Sequence, residues 1–192
     1  MRLRSVETGE ALRCFEHPWY QYPYQVALSP DGRHALADDL LVIEPTNFGG
    51  LARFVGRLLL IDIEGEQLLR AIGNHDQRVR SFAFSPDARN VLTGGNDSQM
   101  VLWNTNDGQH IREFKGHTKA VSCLAFAPNG RSALSGCDDN VVRFWSVETG
   151  RRLRRFEGHS KAVRCLAYSP DGLRALSGSE DGSLCLWRVP EE

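Results

Sequence analysis

The chain meets itself when residues 116–157 are shifted by 42 positions in either direction. His75, His117 and His159 stand 42 apart, as do Thr93, Ser135 and Ser177, then Asp97, Asp139 and Asp181, then Trp103, Trp145 and Trp187. Four unlike side-chain types kept in phase over three units rule out an ordinary domain with a single core. Units of this length stack as an array, each sharing its apolar core only with its neighbours. Each unit reads as short apolar strands, opening at 79–84, 121–126 and 163–168 and separated by turn signals such as Ser-Pro-Asp-Gly. There Pro presets φ and Gly supplies a positive one.

Gly116-His117 and Gly158-His159, weakened to Asn74-His75, open the units, and a Trp closes each third strand. In these features the repeat resembles the WD40 family. The Asp that usually follows the Trp is Asn104, Ser146 and Arg188 here. The resemblance implies an all-β propeller with four four-stranded blades per chain. Residues 17–72 form an atypical blade with an insertion at 38–57. Residues 73–115, 116–157 and 158–192 give the other three blades, the last without an outer strand of its own. Residues 1–16 match 142–157, so they read as a third and an outer strand that latch a terminal blade. Rings of this family usually hold seven or eight blades. We therefore expect a half-ring that dimerises into an eight-bladed propeller, with a closed four-bladed monomer and a piece of a longer ring as alternatives.

The family likeness also assigns a role to the recurring polar residues. It implies one buried hydrogen-bonded line per blade: His75, Thr93, Asp97 and Trp103; His117, Ser135, Asp139 and Trp145; His159, Ser177, Asp181 and Trp187. Trp only donates, a hydroxyl does both, and a neutral imidazole donates with one nitrogen and accepts with the other. A catalytic triad or a metal site would need three identical centres in one chain. The first unit keeps only His17, with Ala37 and Ile61 where the hydroxyl and Trp belong, so that blade is expected to be less firmly tied.

Charge excludes little but directs the reading. With 23 Lys and Arg against 24 Asp and Glu, the net charge is −1 with both signs mixed, and nothing global points to nucleic acid or an anionic membrane. No apolar run reaches bilayer length, and no apolar segment follows the basic start, so no secretory signal is read. Five cysteines without metal-like spacing read as reduced, mostly buried thiols of a cytoplasmic protein, with a disulfide or reactive thiol as the other reading. The basic run 151–155 falls on an outer strand, where charge guards an edge; contact with phosphate or an acidic partner is the alternative.

The strongest functional signal is Trp19, Tyr20, Tyr22 and Tyr24, four aromatics in six residues. By family geometry this loop and the insertion, with Phe48 and Phe54, open on one face of one blade. Exposed aromatics anchor interfaces, although packing under the inserted loop explains them too. Arg78, Asp138 and Glu180 are the candidate contacts on the other blades. The expected function is a non-catalytic protein-interaction scaffold without metal or cofactor. Self-assembly into a ring, or an enzyme or ligand binder with a site at the ring mouth, are the alternatives.

Overall fold

The computed structural model describes residues 2–4, 11–14, 25–43, 53–65 and 67–190, with side chains described for 25–39, 55–65 and 67–190. Among these residues no helix is long and apolar enough to cross a membrane. β1 (Arg2–Arg4) and β2 (Ala11–Cys14) pair as a two-stranded sheet. β3 (Val26–Leu28), β4 (His34–Ile43), β5 (Arg53–Asp62) and β6 (Gln67–His75) form the first large sheet. The second holds β7 (Val79–Phe84), β8 (Asn90–Gly95), β9 (Met100–Asn104) and β10 (His110–Glu113). The third holds β11 (Val121–Phe126), β12 (Ser132–Cys137), β13 (Val142–Ser146) and β14 (Arg152–Phe156), and the last β15 (Val163–Tyr168), β16 (Arg174–Ser179) and β17 (Leu184–Arg188). Every large sheet is an antiparallel meander in chain order.

The repeat fixes the register. Trp103 lies opposite Val91, Trp145 opposite Ala133 and Trp187 opposite Ala175. Ile61 lies opposite Ala35 in the same way, so it stands in the Trp place of the first sheet.

Three of the four large sheets have four strands, and the last has three among the described residues. The insertion at 38–57 is not simply a loop between strands. Its two ends extend β4 and β5 into a ten-residue ladder running from His34↔Asp62 to Ile43↔Arg53. Leu40 to Ile43 and Phe54-Val55 are β-prone, so they pair before the chain turns.

The cores lie between sheets. Leu36, Leu58, Leu60 and Ile72 of the first sheet bury against Phe84, Val91 and Trp103 of the second. Leu92, Met100 and Leu102 bury against Val121, Ala133 and Trp145, and Leu134, Val142 and Phe144 against Val163 and Ala175. The sheets approach so closely that a Cβ on Gly94 would sit 2.6 Å from a Val121 methyl, and one on Gly136 2.7 Å from a Val163 methyl.

One turn departs from its siblings. Gly32, Gly130 and Gly172 occupy left-handed φ of 70°, 71° and 73°, whereas Ala88 holds the same place at 58°. Left-handed backbone costs a residue with a Cβ about 1–2 kcal/mol, part of which the greater chain entropy of Gly takes back. Ala88→Gly should therefore stabilise the chain by roughly 0.5–1 kcal/mol in urea melts. An unchanged or lowered midpoint would show that the turn carries no such strain.

Candidate functional site

The polar lines run through the second to fourth large sheets. In the second, Trp103 Nε1 donates to Thr93 Oγ1 at 2.8 Å, Thr93 Oγ1 is 2.7 Å from His75 Nε2, and His75 Nδ1 is 3.0 Å from Asp97 Oδ2. The Asp97 carboxylate can only accept, so Nδ1–H points to it, and in a neutral imidazole Nε2 then accepts from the Thr93 hydroxyl. In the last sheet, Trp187 Nε1 and His159 Nε2 each lie 2.7 Å from Ser177 Oγ. His159 Nδ1 there meets Ser183 Oγ at 2.9 Å and Asp181 Oδ2 at 3.3 Å. The Thr93, Ser135 and Ser177 hydroxyls are buried and engaged on both sides, which leaves a substrate no route to them.

The third sheet breaks the pattern. Trp145 Nε1 donates to Ser135 Oγ at 2.8 Å, and His117 Nε2 is 2.7 Å from it. Asp139, however, is taken by Arg143, whose Nη1 and Nη2 donate to its two oxygens at 2.9 and 2.6 Å. Thr118 Oγ1 donates to it as well. His117 Nδ1 and Arg143 Nε are left buried without partners. Burial, seconded by the Arg143 charge, pushes His117 down to about 3, so its imidazole is neutral. Burial alone would raise the Asp139 carboxyl, but the Arg143 hydrogen bonds and charge outweigh it and hold it well below its ordinary value. Arg143 stands where Val101 and Cys185 stand in the neighbouring sheets, and it was passed over in the sequence because it sits inside an apolar strand.

Of the candidate contact residues, Trp19, Tyr20, Tyr22, Tyr24 and Phe48 lie outside the described residues, and only the backbone of Phe54 is described, in β5. Arg78, Asp138 and Glu180 fall on one rim, in a series of ion pairs that crosses the sheets. Arg78 Nη2 donates to Asp38 Oδ2 at 3.0 Å, and Arg80 Nη1 to Asp138 Oδ2 at 3.0 Å. Arg164 donates both to Asp138 and, through Nε at 2.7 Å, to Glu180. Asp138 thus joins the second, third and last sheets. Sequence reading missed Arg80 and Arg164. Their signal was an Arg at the same step of two first strands otherwise read as apolar.

Two consequences are measurable. A buried ion pair is often replaced by apolar residues without loss, whereas removing one partner leaves a charge uncompensated. The double change Arg143→Val with Asp139→Ala should be neutral or stabilising by up to roughly 1–4 kcal/mol, whereas Asp139→Ala alone should cost about 3–5 kcal/mol. Equal losses in denaturant melts would refute this assignment of the pair.

The second consequence follows from His117. Its folded value lies below the unfolded one near 6.5, so the unfolded chain binds the extra proton between them. The stability carried by neutral His117 is full above about pH 6.5 and is lost as pH falls toward 3, at no more than about 1.4 kcal/mol per pH unit. Urea melts at about pH 6 and about pH 4.5 should show this fall, and His117→Gln should flatten it. An equally steep fall in the variant would assign the dependence elsewhere.

The family model for the WD domain, G-beta repeat, matches residues 66–104, 108–146 and 150–188, more than half of the chain. The chain is also similar to the Periodic tryptophan protein 2 homolog of Dictyostelium discoideum, 27% identical over 110 residues. That match takes in 55% of this chain and 11% of the relative, so the chain spans a small part of that protein's length. Each matched repeat ends on the strand that carries a Trp in the shared register, and with three of them in succession the chain belongs to the WD domain, G-beta repeat family.

Proposed function

We propose that this chain is a protein-interaction scaffold whose ring is closed by a second copy of itself. The repeats and the WD-repeat relative support the scaffold reading in general terms. The observation that carries the assembly is the last sheet. Leu92 and Leu134 are fully buried by the following sheet, yet Leu176, at the same step, is 42% exposed. Leu184 and Leu186 are 71% and 65% exposed where Met100, Leu102, Val142 and Phe144 are buried.

The first sheet offers a matching face. Ala27 packs toward the second sheet, so Val26 and Leu28 on either side of it point the other way, 56% and 57% exposed. Their repeat equivalents, Phe82 and Phe84, Leu124 and Phe126, Leu166 and Tyr168, all pack on the preceding sheet. Joining the last sheet of one copy to the first of another repeats a junction the chain already makes three times. Four sheets at about 45° each give a half-ring, and head-to-tail contact closes at two copies. A face with this much exposed Leu and Val drives such association.

Strand completion fits the same plan. β1 and β2 pair as Arg2↔Cys14, Leu3↔Arg13 and Arg4↔Ala11, the register in which Arg143, Phe144 and Trp145 meet Arg155, Arg154 and Arg152. In our reading residues 1–16 supply the outer strand that β17 lacks, to the partner copy. The aromatic run 19–24 remains our candidate for contact with an external protein. The four described cysteines are free, in keeping with a reducing compartment such as the cytoplasm.

Light scattering should give twice the 21.5 kDa chain mass. Leu184→Glu with Leu186→Glu, or deletion of 1–16, should reduce it to a folded single chain. A monodisperse monomer of the unaltered chain, unfolding cooperatively, would overturn the assembly.

A further inference from the structure

The first strands of the second, third and last sheets place one side chain at the same step, Arg80, Ser122 and Arg164, and the hairpins between second and third strands place another, Asn96, Asp138 and Glu180. The hairpins are held alike: the Asn96, Asp138 and Glu180 N–H groups donate to the Arg78, Ala120 and Ala162 carbonyls, each at 3.0 Å. In the last sheet the two positions meet, and Arg164 is neutralised by two carboxylates, Glu180 of its own sheet and Asp138 of the sheet before. Among the described residues Arg80 pairs with Asp138, which it shares with Arg164, and its own-sheet position is the neutral Asn96. Among the described residues one Arg80 donor of five is in use.

A cavity of about 300 Å³ opens here, lined by Arg80, Asn96, Gln25, Asp38, Arg78 and Val79. Among the described residues its wall holds one carboxylate, Asp38, which already accepts from the Gln25 N–H at 2.8 Å and from Arg78 at 3.0 Å. The rest of its polar wall is rich in donors, and Arg80 is a third exposed into open space, with 32% of its side chain accessible.

We propose that this cavity receives the carboxylate of an Asp or Glu side chain from a protein partner, docked on Arg80 and Asn96 as Glu180 docks on Arg164. The proposal rests on the scaffold reading and names the chemistry of what the scaffold holds. A phosphate group shares the anionic chemistry. The carboxylate is favoured because the last sheet supplies its template, a guanidinium–carboxylate pair, and because the second sheet lacks one carboxylate charge rather than two. Charge-assisted hydrogen bonds of this kind are stronger than neutral ones and select for geometry.

Calorimetric titration of the full chain with blocked tri-glutamate peptide, tri-glutamine peptide and inorganic phosphate tests it. The glutamate peptide should bind one per chain and the glutamine peptide should not. Arg80→Gln and Asn96→Asp, the latter putting a carboxylate of the chain's own into the site, should each weaken the glutamate peptide by about tenfold or more. Equal binding of both peptides, unchanged binding by both variants, or saturation by phosphate alone would overturn the proposal. Neither residue is on the end faces, so light scattering of the same samples should show the unaltered mass. Failure of this site and failure of ring closure are thereby read separately.

Discussion

Each of the four large sheets has two apolar faces, and neither can be buried within the sheet itself. This single constraint sets the architecture. A sheet covers one face with the sheet before it and the other with the sheet after it, so stability resides at the junctions rather than in any central core. The junctions are tight. Gly94 and Gly136 are glycine because Val121 and Val163 of the next sheet occupy the space of a side chain. The aromatics interlock across the same seams, with Phe114 edge-on to Trp145 at 5.8 Å and Phe156 on Trp187 at 5.3 Å. An array with this rule has two unfinished ends unless it closes, and the exposed Leu184, Leu186, Val26 and Leu28 are where the rule is left unmet within the described residues.

Within a sheet, the Trp–hydroxyl–His line performs a second task. It runs from the third strand through the second to the residue that enters the first, so it fixes strand positions where ladder bonds alone would allow slippage. Buried polar groups are tolerated there because each one has a partner. The third sheet tests that tolerance: Arg143 draws Asp139 away, and His117 Nδ1 is left without a partner. The first sheet has no such line among its described residues, and a ten-residue ladder between β4 and β5 stands in its place, bridged near its middle by the Arg57–Asp39 pair at 2.7 Å.

Much of this was legible in the sequence because it is periodic. The step of 42 placed the strands, the register and the turns, since a repeat imposes the same local physics at each copy. The all-β class and the polar lines were what the family resemblance implied, and the third line departs from it where Arg143 takes Asp139. What the sequence did not disclose lies where phase gives no information. Asp38 to Arg57 has no counterpart in the other units, so nothing in the repeat said that its ends would extend two strands. Arg80, Arg143 and Arg164 lie inside strands read as apolar, and an average over a strand hides one charge. Their partners come from neighbouring sheets, from a hairpin of the same sheet or from four residues away, pairings that only the packed structure reveals.

Departures from the repeat are therefore the informative positions, and they are of two kinds. Arg143 in place of Val or Cys changes what a sheet costs to bury and is answered internally, by Asp139. Asn96 in place of Asp or Glu is not answered internally. It leaves Arg80 with half the neutralisation that its equivalent Arg164 receives, at a rim that is open to solvent. A fold built from identical junctions gains specificity only by breaking identity at its surface. A missing charge beside a surviving cation is the smallest such break, because it alters recognition while leaving every buried contact in place. In the reading proposed above, ring closure and partner recognition are separable: the first would use the apolar faces that repeat, and the second the rim where the repeat lapses.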